Sequence, residues 1–586
     1  MNAFEHYPRW ARALAHGIRA RLGNTFVLHG NTHDLVAVPR PPDSPRLAAE
    51  YVSLTVFLAE WIFGQREVVI EYQRANGAIF HTPESHRHFT EAVAVVDAIH
   101  GTDLARSVPR DPAVFCSLLD SFLKQVVHRF PTLGVAILLP YAETLVPESA
   151  GESGAEDRAV RVFIQKWSTD PGLLAANVTF VLVTENLADI SARIVRSPQT
   201  VETAIERPDE PDRLRFLRSI RPAGWFETRS ELPAERLAQS TSGLTRIQLR
   251  QIVSSVDEHS LNEPGARLDA ATLRDQKKAV IEAECFGLLE YVESKVTLDM
   301  VSGHEGVKSR LRRAAQAIAA GRLRGVPMGY LIAGPVGSAK TFLVNCFTGE
   351  IGFPCVKFLN FRSQWQGVTE GNLEKILKVL QAMWPVGVII DEADAALGDR
   401  NQQGDSGTSN RVFAQFASFM GNTEYRGKIL WFLITSRPDL LPIDLKRQGR
   451  AEEHLALFYP ETDEEHEALF RIMLKKSGLK TAAQSVKEVI ADPSGLSGAD
   501  IEAILARAVL ASDAGEAGAD QSVPVDTLRR AFEDFIPATS PLERELQILV
   551  AVRECTSREV LPERYRNLDR SELQARISEL RRLLNS

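Results

Sequence analysis

Cysteine is scarce in this chain, five residues in 586, and the five (Cys116, Cys285, Cys346, Cys355 and Cys555) stand apart without a CxxC pair. That spacing argues against a disulfide framework and against a paired-thiolate zinc site, and the mostly apolar surroundings suit cysteine as a small hydrophobe. Long hydrophobic runs are missing as well. None approaches the roughly 18 residues that a membrane span needs, so no span is expected. The opening Met1-Asn-Ala-Phe-Glu-His-Tyr-Pro8 has neither the basic start nor the apolar core of a secretory leader, and a cytoplasmic location is expected. Nor is there an excess of positive charge. With 68 Lys and Arg against 76 Asp and Glu, a net charge of -8 and a pI near 6.0, the chain lacks the basic domain or stripe of a general nucleic-acid binder. The one basic stretch, Lys308 to Arg324, carries Leu311, Ala315 and Ile318 between its charges and reads as the wet face of an amphipathic helix. Low-complexity tracts are absent too, and 44% hydrophobic with 25% charged residues is the balance of folded, soluble protein rather than of disorder.

What the chain does have is length for more than one core, and an internal repeat. Ser494-Gly-Leu-Ser-Gly-Ala-Asp-Ile501 matches Ser242-Gly-Leu-Thr-Arg-Ile-Gln-Leu249, and Leu457-Phe-Tyr-Pro-Glu-Thr-Asp463 matches Ile205-Glu-Arg-Pro-Asp-Glu-Pro211, both at an offset of about 252 residues. Val388-Ile-Ile-Asp-Glu-Ala-Asp394 faces Ile137-Leu-Leu-Pro-Tyr-Ala-Glu143 at nearly the same offset, each a buried-strand pattern running into a polar end. In the second half, Tyr330 to Ala333, Val356 to Leu359, Val388 to Ile390 and Leu430 to Thr435 alternate with helix-length segments. This predicts an α/β fold in each half: a parallel sheet with helices on both faces, followed by a helical lid at about 208–256 and 460–536. Expected boundaries are 1–256 for the first module, 257–295 for a linker and helix, 296–459 for the second sheet, 460–540 for its lid and 541–586 for a C-terminal helical extension. Asp257 to Arg267 reads as the linker and Ala270 to Val292 as helix, while Leu573, Ile577, Leu580 and Leu584 recur at helical spacing near the end.

The chemistry concentrates in the second half. Tyr330-Leu-Ile-Ala333 is a short apolar strand, followed by Gly334, Pro335, Val336, Gly337, Ser338, Ala339, Lys340 and Thr341, and then by a helix from Phe342. Strand, glycine-containing loop and helix start are the context in which backbone N–H groups and a helix N-terminus face phosphates. Lys340 would reach the β- and γ-phosphates of ATP, and Thr341 would place its hydroxyl on Mg²⁺. The glycine usual before the lysine is Ala339 here. Further on, Asp391 and Glu392 stand at the carboxyl end of an apolar strand, where adjacent carboxylates are costly unless Mg²⁺ and an attacking water meet their charge. Asp391 would hold the metal's shell and Glu392 would act as general base.

With these motifs in place, residues 296–536 resemble the AAA family of P-loop ATPases. Thr435-Ser-Arg-Pro-Asp-Leu-Leu441 resembles that family's first sensor segment, with Ser436 in place of its asparagine, which implies slowed rather than abolished hydrolysis. Lys446-Arg-Gln-Gly-Arg450 is similar to the segment that supplies arginine fingers to a neighbouring subunit, so the resemblance gives that role to Arg447 and Arg450. Ser497-Gly-Ala-Asp500, with Gly498 and Ala499 as nucleotide contacts, resembles the lid signature, and Val296 to His304, with Gly303, resembles the segment that covers the adenine. Phe361-Arg-Ser-Gln-Trp-Gln-Gly-Val-Thr-Glu370 resembles a first pore loop, with Trp365 as the projecting aromatic beside Gly367; the alternative for Trp365 is packing inside the fold. Gly398 to Asn410 would be the second pore-facing loop. The overall arrangement is similar to an AAA family of plastids and cyanobacteria that couples a degenerate first module to an active second.

In the first module, Phe26-Val-Leu-His-Gly-Asn-Thr-His33 stands where the phosphate loop belongs but has no Gly-Lys-Thr, and Pro140 and Tyr141 stand where Asp391 and Glu392 do. Metal, base and phosphate cation are all missing, so no ATP turnover is expected there. His29 and His33 read as loop histidines without a third metal ligand. Two roles stay open. One is a ring-forming homo-oligomer, a hexamer by the resemblance, that uses ATP to remodel a protein client. The other is an ATP-gated regulatory or assembly scaffold with slow turnover.

Overall fold

The computed structural model describes residues 7–38, 51–106, 108–148, 155–262, 267–285, 287–292, 294, 296–351, 354–359, 370–397, 407–513, 522–537 and 540–585. Its chain forms two compact units, residues 1–281 with 369–382 and residues 282–368 with 383–586.

The first unit is built on strands β1 (Thr25–Gly30), β2 (Val68–Gln73), β3 (Gly77–Phe80), β4 (Val135–Leu139), β5 (Val178–Thr184) and β6 (Thr200–Ile205), in the order β3-β2-β4-β5-β1-β6. The second sheet takes β7 (Leu289–Val292), β8 (Gly329–Ala333), β9 (Cys355–Phe358), β10 (Val386–Ile390), β11 (Ile429–Thr435) and β12 (Glu453–Ala456), in the order β7-β9-β10-β11-β8-β12. Matching β2 to β9, β4 to β10, β5 to β11, β1 to β8 and β6 to β12 gives one parallel five-strand arrangement twice. The central strands are continuous apolar runs because both faces are covered: every residue of β4, β5, β8, β10 and β11 is buried. Only the antiparallel edge differs. In the first unit it is β3, which follows β2 as a hairpin; in the second it is β7, which precedes the sheet and pairs Val292 with Cys355.

That edge strand corrects the reading of Ala270 to Val292 as one helix. The helix spans Ala270–Glu284 and stops at Gly287, whose φ of 67° is the left-handed conformation in which helices end, with the Gly287 N–H donating to the Glu282 carbonyl. Leu289 to Val292 then run extended. The expected linker also begins later than Asp257, since a helix runs Arg246–Asn262 and stops only before Pro264.

Each sheet is followed by helices. In the second unit the lid opens with Asp463–Ser477, started by a reciprocal capping box of Thr462 and Glu465, and it closes its own core around Phe470, Ile504, Leu505 and Leu528. The C-terminal extension forms helices Pro541–Glu554 and Arg570–Asn585. Leu573, Ile577 and Leu580 pack with Leu546, Val550 and Phe458, whereas Leu584, at 37% exposure, falls outside the stripe. No helix among the described residues is long and apolar enough to cross a membrane. Trp365 and Gly367, together with most of the second expected pore loop, lie outside the described residues.

Candidate functional site

β8 lies between β11 and β12, and the chain leaves its carboxyl end through residues 334–339 into the helix Lys340–Ile351. The glycines of this loop are sterically required. A Cβ on Gly334 would stand 2.3 Å from the Leu457 carbonyl oxygen, and one on Gly337, at φ 83°, would stand 2.6 Å from Ser497. Ala339 occupies the left-handed region at φ 58°, which costs an L-residue about 1–2 kcal/mol, so alanine in place of the usual glycine carries backbone strain. Glycine at this position adds unfolded-state freedom worth about 0.4–1 kcal/mol. Ala339→Gly is therefore expected to give a net stabilisation of about 0.5 kcal/mol, read as a raised denaturation midpoint; a lowered midpoint would contradict the strain.

The half-buried Lys340 folds back on the loop, with Nζ donating to the carbonyls of Gly334 at 2.9 Å and Pro335 at 2.8 Å. Burial pushes its pKa down to about 8, against the opposing pull of the Asp391 and Asp394 carboxylates. Thr341 donates its hydroxyl to Asp391 Oδ2 at 3.2 Å, and Asp391 Oδ1 accepts the Glu392 N–H at 3.0 Å. Glu392 itself is exposed and sits at φ 48°, starting the short helix Ala393–Leu397. Hard oxygen donors from Thr341 and Asp391, already within hydrogen-bond reach of each other, fit a Mg²⁺ shell.

Two partners here were not singled out in the sequence. Lys357, the one charged residue in β9, ion-pairs with Asp391 Oδ2 at 2.9 Å, and Asp394 accepts the Thr435 hydroxyl at 2.6 Å, joining the segment after β10 to the end of β11. The signal for Lys357 is a lysine inside the apolar strand Cys355-Val-Lys-Phe358, but its partner depends on strand order.

A cleft, part of it open to solvent, lies beside the loop. Gly303, Gly337, Ser338, Ala339, Phe342 and Gly498 line it, and Ala499 does not. Burial holds the His304 imidazole below its ordinary pKa, so a neutral ring closes one side. The lid reaches the cleft through Leu469, Met473 and Gly498, and Ser497 and Asp500 beside Gly498 exchange cap hydrogen bonds of 2.8 and 3.1 Å.

Ser436 follows β11 as a partly exposed residue between Thr435, whose Oγ1 accepts the Arg437 N–H at 2.8 Å, and Arg437, whose guanidinium holds Asp439 at 2.9 and 3.0 Å. Arg447 and Arg450 differ sharply. The Arg447 side chain is 60% exposed, whereas that of Arg450 is 11% exposed and donates to the Asp444 carbonyl at 2.8 Å. Neither makes a hydrogen bond or ion pair with residues 334–341.

In the first unit the same positions carry other chemistry. After β1, Asp34 is buried and accepts from Asn31 Nδ2 at 3.0 Å and from the Ile247 N–H at 3.1 Å, at the start of helix Arg246–Asn262. Tyr141 follows β4 at φ 55°, the same left-handed turn as Glu392 after β10, and stacks on His33 with ring centroids 5.6 Å apart. Backbone geometry is kept where the acidic pair is absent. Burial lowers the His29 pKa to about 4, with the Lys378 ammonium acting in the same direction, so this ring is neutral at pH 7.

Comparison with known proteins follows the same division. Residues 2–206 match the model of an AAA+ chaperone N-terminal Rossmann-like domain, 211–286 that of an AAA+ chaperone second helical domain, and 330–459 that of the ATPase family associated with various cellular activities. The chain is similar to a cell division cycle protein 48 homolog of Archaeoglobus fulgidus, 24% identical over 63% of this chain and 53% of that protein. It is similar to the uncharacterized AAA domain-containing protein ycf46 of Trieres chinensis, 26% identical over 41% of this chain and 48% of that protein. A third relative is the peroxisomal ATPase PEX6 of Arthrobotrys oligospora, 25% identical over 58% of this chain and 31% of that protein. The chain thus spans about half or less of the length of these relatives. Three family models in succession over two copies of one parallel sheet, with a phosphate-loop lysine and threonine in the second alone, give the chain the domains of an AAA+ protein, with its AAA domain at residues 330–459.

Proposed function

We propose that the chain hydrolyses MgATP at the second-module site and, as a homo-oligomeric ring of six copies, uses the cycle to remodel a protein partner. One observation supports the first half of this reading: of two copies of the same sheet, the second has a lysine, a hydroxyl and two carboxylates just beyond the carboxyl ends of its strands, the end at which such sheets bind ligands. In this reading Lys340 leaves the Gly334 and Pro335 carbonyls to meet the β- and γ-phosphates. Thr341 and Asp391 would hold the metal, which when bound would neutralise phosphate charge, and Lys357, now paired with Asp391, would release it for that purpose. Glu392, exposed on its left-handed turn, takes the proton of the attacking water, and Ser436 orients that water. Arg447 projects from its own chain as a finger for a neighbour needs to, and Arg450 holds the Asp444 turn beside it.

The remodelling half rests on the AAA+ chaperone descriptions of the first two family models. A second reading, the slow ATP-gated scaffold, is favoured by the strain at Ala339 and by the short Ser436 side chain. Steady-state hydrolysis by the full chain, with and without a permanently unfolded polypeptide, separates them. A remodeller turns over repeatedly and faster with the polypeptide; one turnover or fewer per minute, unchanged by it, would reject remodelling and favour the scaffold. Calorimetry should also return one MgATP per chain, and two would overturn the reading of the first module.

A further inference from the structure

We propose that the C-terminal extension is a working part of the nucleotide site, in which Gln547 and Arg544 are positioning residues that fasten the phosphate loop and tie it to the lid. This rests on the assignment of residues 334–341 as the phosphate loop.

Val336 is the third residue of that loop, and its side chain is 54% exposed, yet both of its backbone polar groups are taken by side chains from elsewhere. Its N–H donates to Gln547 Oε1 at 3.0 Å, and its carbonyl accepts the Tyr459 hydroxyl at 2.5 Å. Gln547 is 2% exposed on the helix Pro541–Glu554, beside the apolar Leu546, Leu549 and Val550. A buried amide among apolar side chains costs stability unless its hydrogen bonds are made, and the one good acceptor bond of Gln547 goes to the loop. The arrangement therefore ties the loop to this helix.

Arg544 stands three residues earlier, on the same face of that helix. Its guanidinium lies over the Tyr459 ring, 5.5 Å from the centroid, and Nη1 donates to the Gly495 carbonyl at 2.9 Å. Gly495 itself sits at φ 79°, the left-handed region in which a side chain is strained. Two residues on, Ser497 begins the lid helix and abuts Gly337 of the loop. The contacts close a circuit from Val336 through Gln547 and Arg544 to Gly495, and from Ser497 back to Gly337. Gly337 and Tyr459 also line the cleft, so the circuit borders it. None of these residues touches the carboxylates Asp391 and Glu392, so the circuit acts on how nucleotide is held rather than on how water attacks.

Gln547→Met keeps the length of the side chain and removes the acceptor. In the full chain, the KM for ATP and the Kd for a fluorescent ADP are expected to rise about tenfold, with kcat changed less than twofold and the melting transition retained. Arg544→Met should act in the same direction. Because both residues belong to one circuit, the double variant should be no weaker than the weaker single. Lys340→Ala is the control. If it loses binding while a folded Gln547→Met binds and turns over as the parent does, the positioning role is overturned and the loop assignment stands. If Lys340→Ala binds normally, the loop assignment fails and takes the proposal with it. A fall in kcat at unchanged KM would also overturn the proposal. Should Gln547→Met not fold, Tyr459→Phe decides, since it removes only the fastening of the Val336 carbonyl. Weakened nucleotide binding supports the circuit, and parental affinity rejects it.

Discussion

Replacing Lys340 with alanine is expected to leave a folded chain that gives no calorimetric signal with micromolar MgATP. Losing one partner of a buried charge contact costs about 2–5 kcal/mol, roughly 30- to 5,000-fold in affinity. The same lysine predicts a pH dependence. Burial holds its pKa at about 8, because the ammonium is partly desolvated, against the opposing pull of the Asp391 and Asp394 carboxylates. Phosphate oxygens would favour the charged form and raise the pKa on binding. Above pH 8 binding must then take up a proton, so affinity is full below pH 8 and is lost as pH rises through that value, by about tenfold or more between pH 7.5 and 9.5. Lys340→Arg, charged throughout this range, should abolish the slope. A parental affinity that did not change from pH 7.5 to 9.5 would exclude Lys340 as the titrating contact.

The parts of this molecule legible in its sequence are those in which chemistry and backbone share a short segment. The loop 334–341 is one: two glycines, a lysine and a threonine sit between a buried strand and a helix start, and each glycine position has a steric reason in the fold. The pairing of Pro140-Tyr141 with Asp391-Glu392 is another. An offset in the sequence matched them, and both second members adopt the left-handed turn, φ 55° and 48°. What the sequence hid depends on strand order and on docking between distant segments. Lys357 meets Asp391 because β9 lies beside β10, and Gln547 meets Val336 from 211 positions away. Local signals also failed where one residue overrode a pattern. Gly287 ends a helix that apolar periodicity would have carried on, and Leu584 keeps the spacing of Leu573, Ile577 and Leu580 without sharing their burial. Arg447 and Arg450 look equivalent as letters, but the turn at Asp444 leaves one exposed and holds the other down.

That difference shapes the second large effect. Arg447→Ala is expected to bind ATP through its own Lys340 and yet hydrolyse it about 10³-fold more slowly, since a finger of this kind supplies 10³-fold or more in phosphoryl transfer. Arg450→Ala should combine a loss of turnover with a loss of stability, because its guanidinium also holds the Asp444 carbonyl. Glu392→Gln should bind ATP and not turn it over, since the amide cannot accept the water's proton. If Arg447 reaches the site of a neighbouring subunit, the Arg447→Ala and Glu392→Gln chains fail for complementary reasons. Mixed rings then contain interfaces where an intact Arg447 meets an intact Glu392. Activity should therefore reappear on mixing two nearly inactive proteins, and for the parent chain specific activity should rise with concentration as rings assemble. Mixtures shown by light scattering and differential labelling to contain both chains in one ring, yet still inactive at every ratio, would count against action in trans. A parent chain fully active as a monomer at nanomolar concentration would reject it, because a single chain then supplies every group that its own site needs.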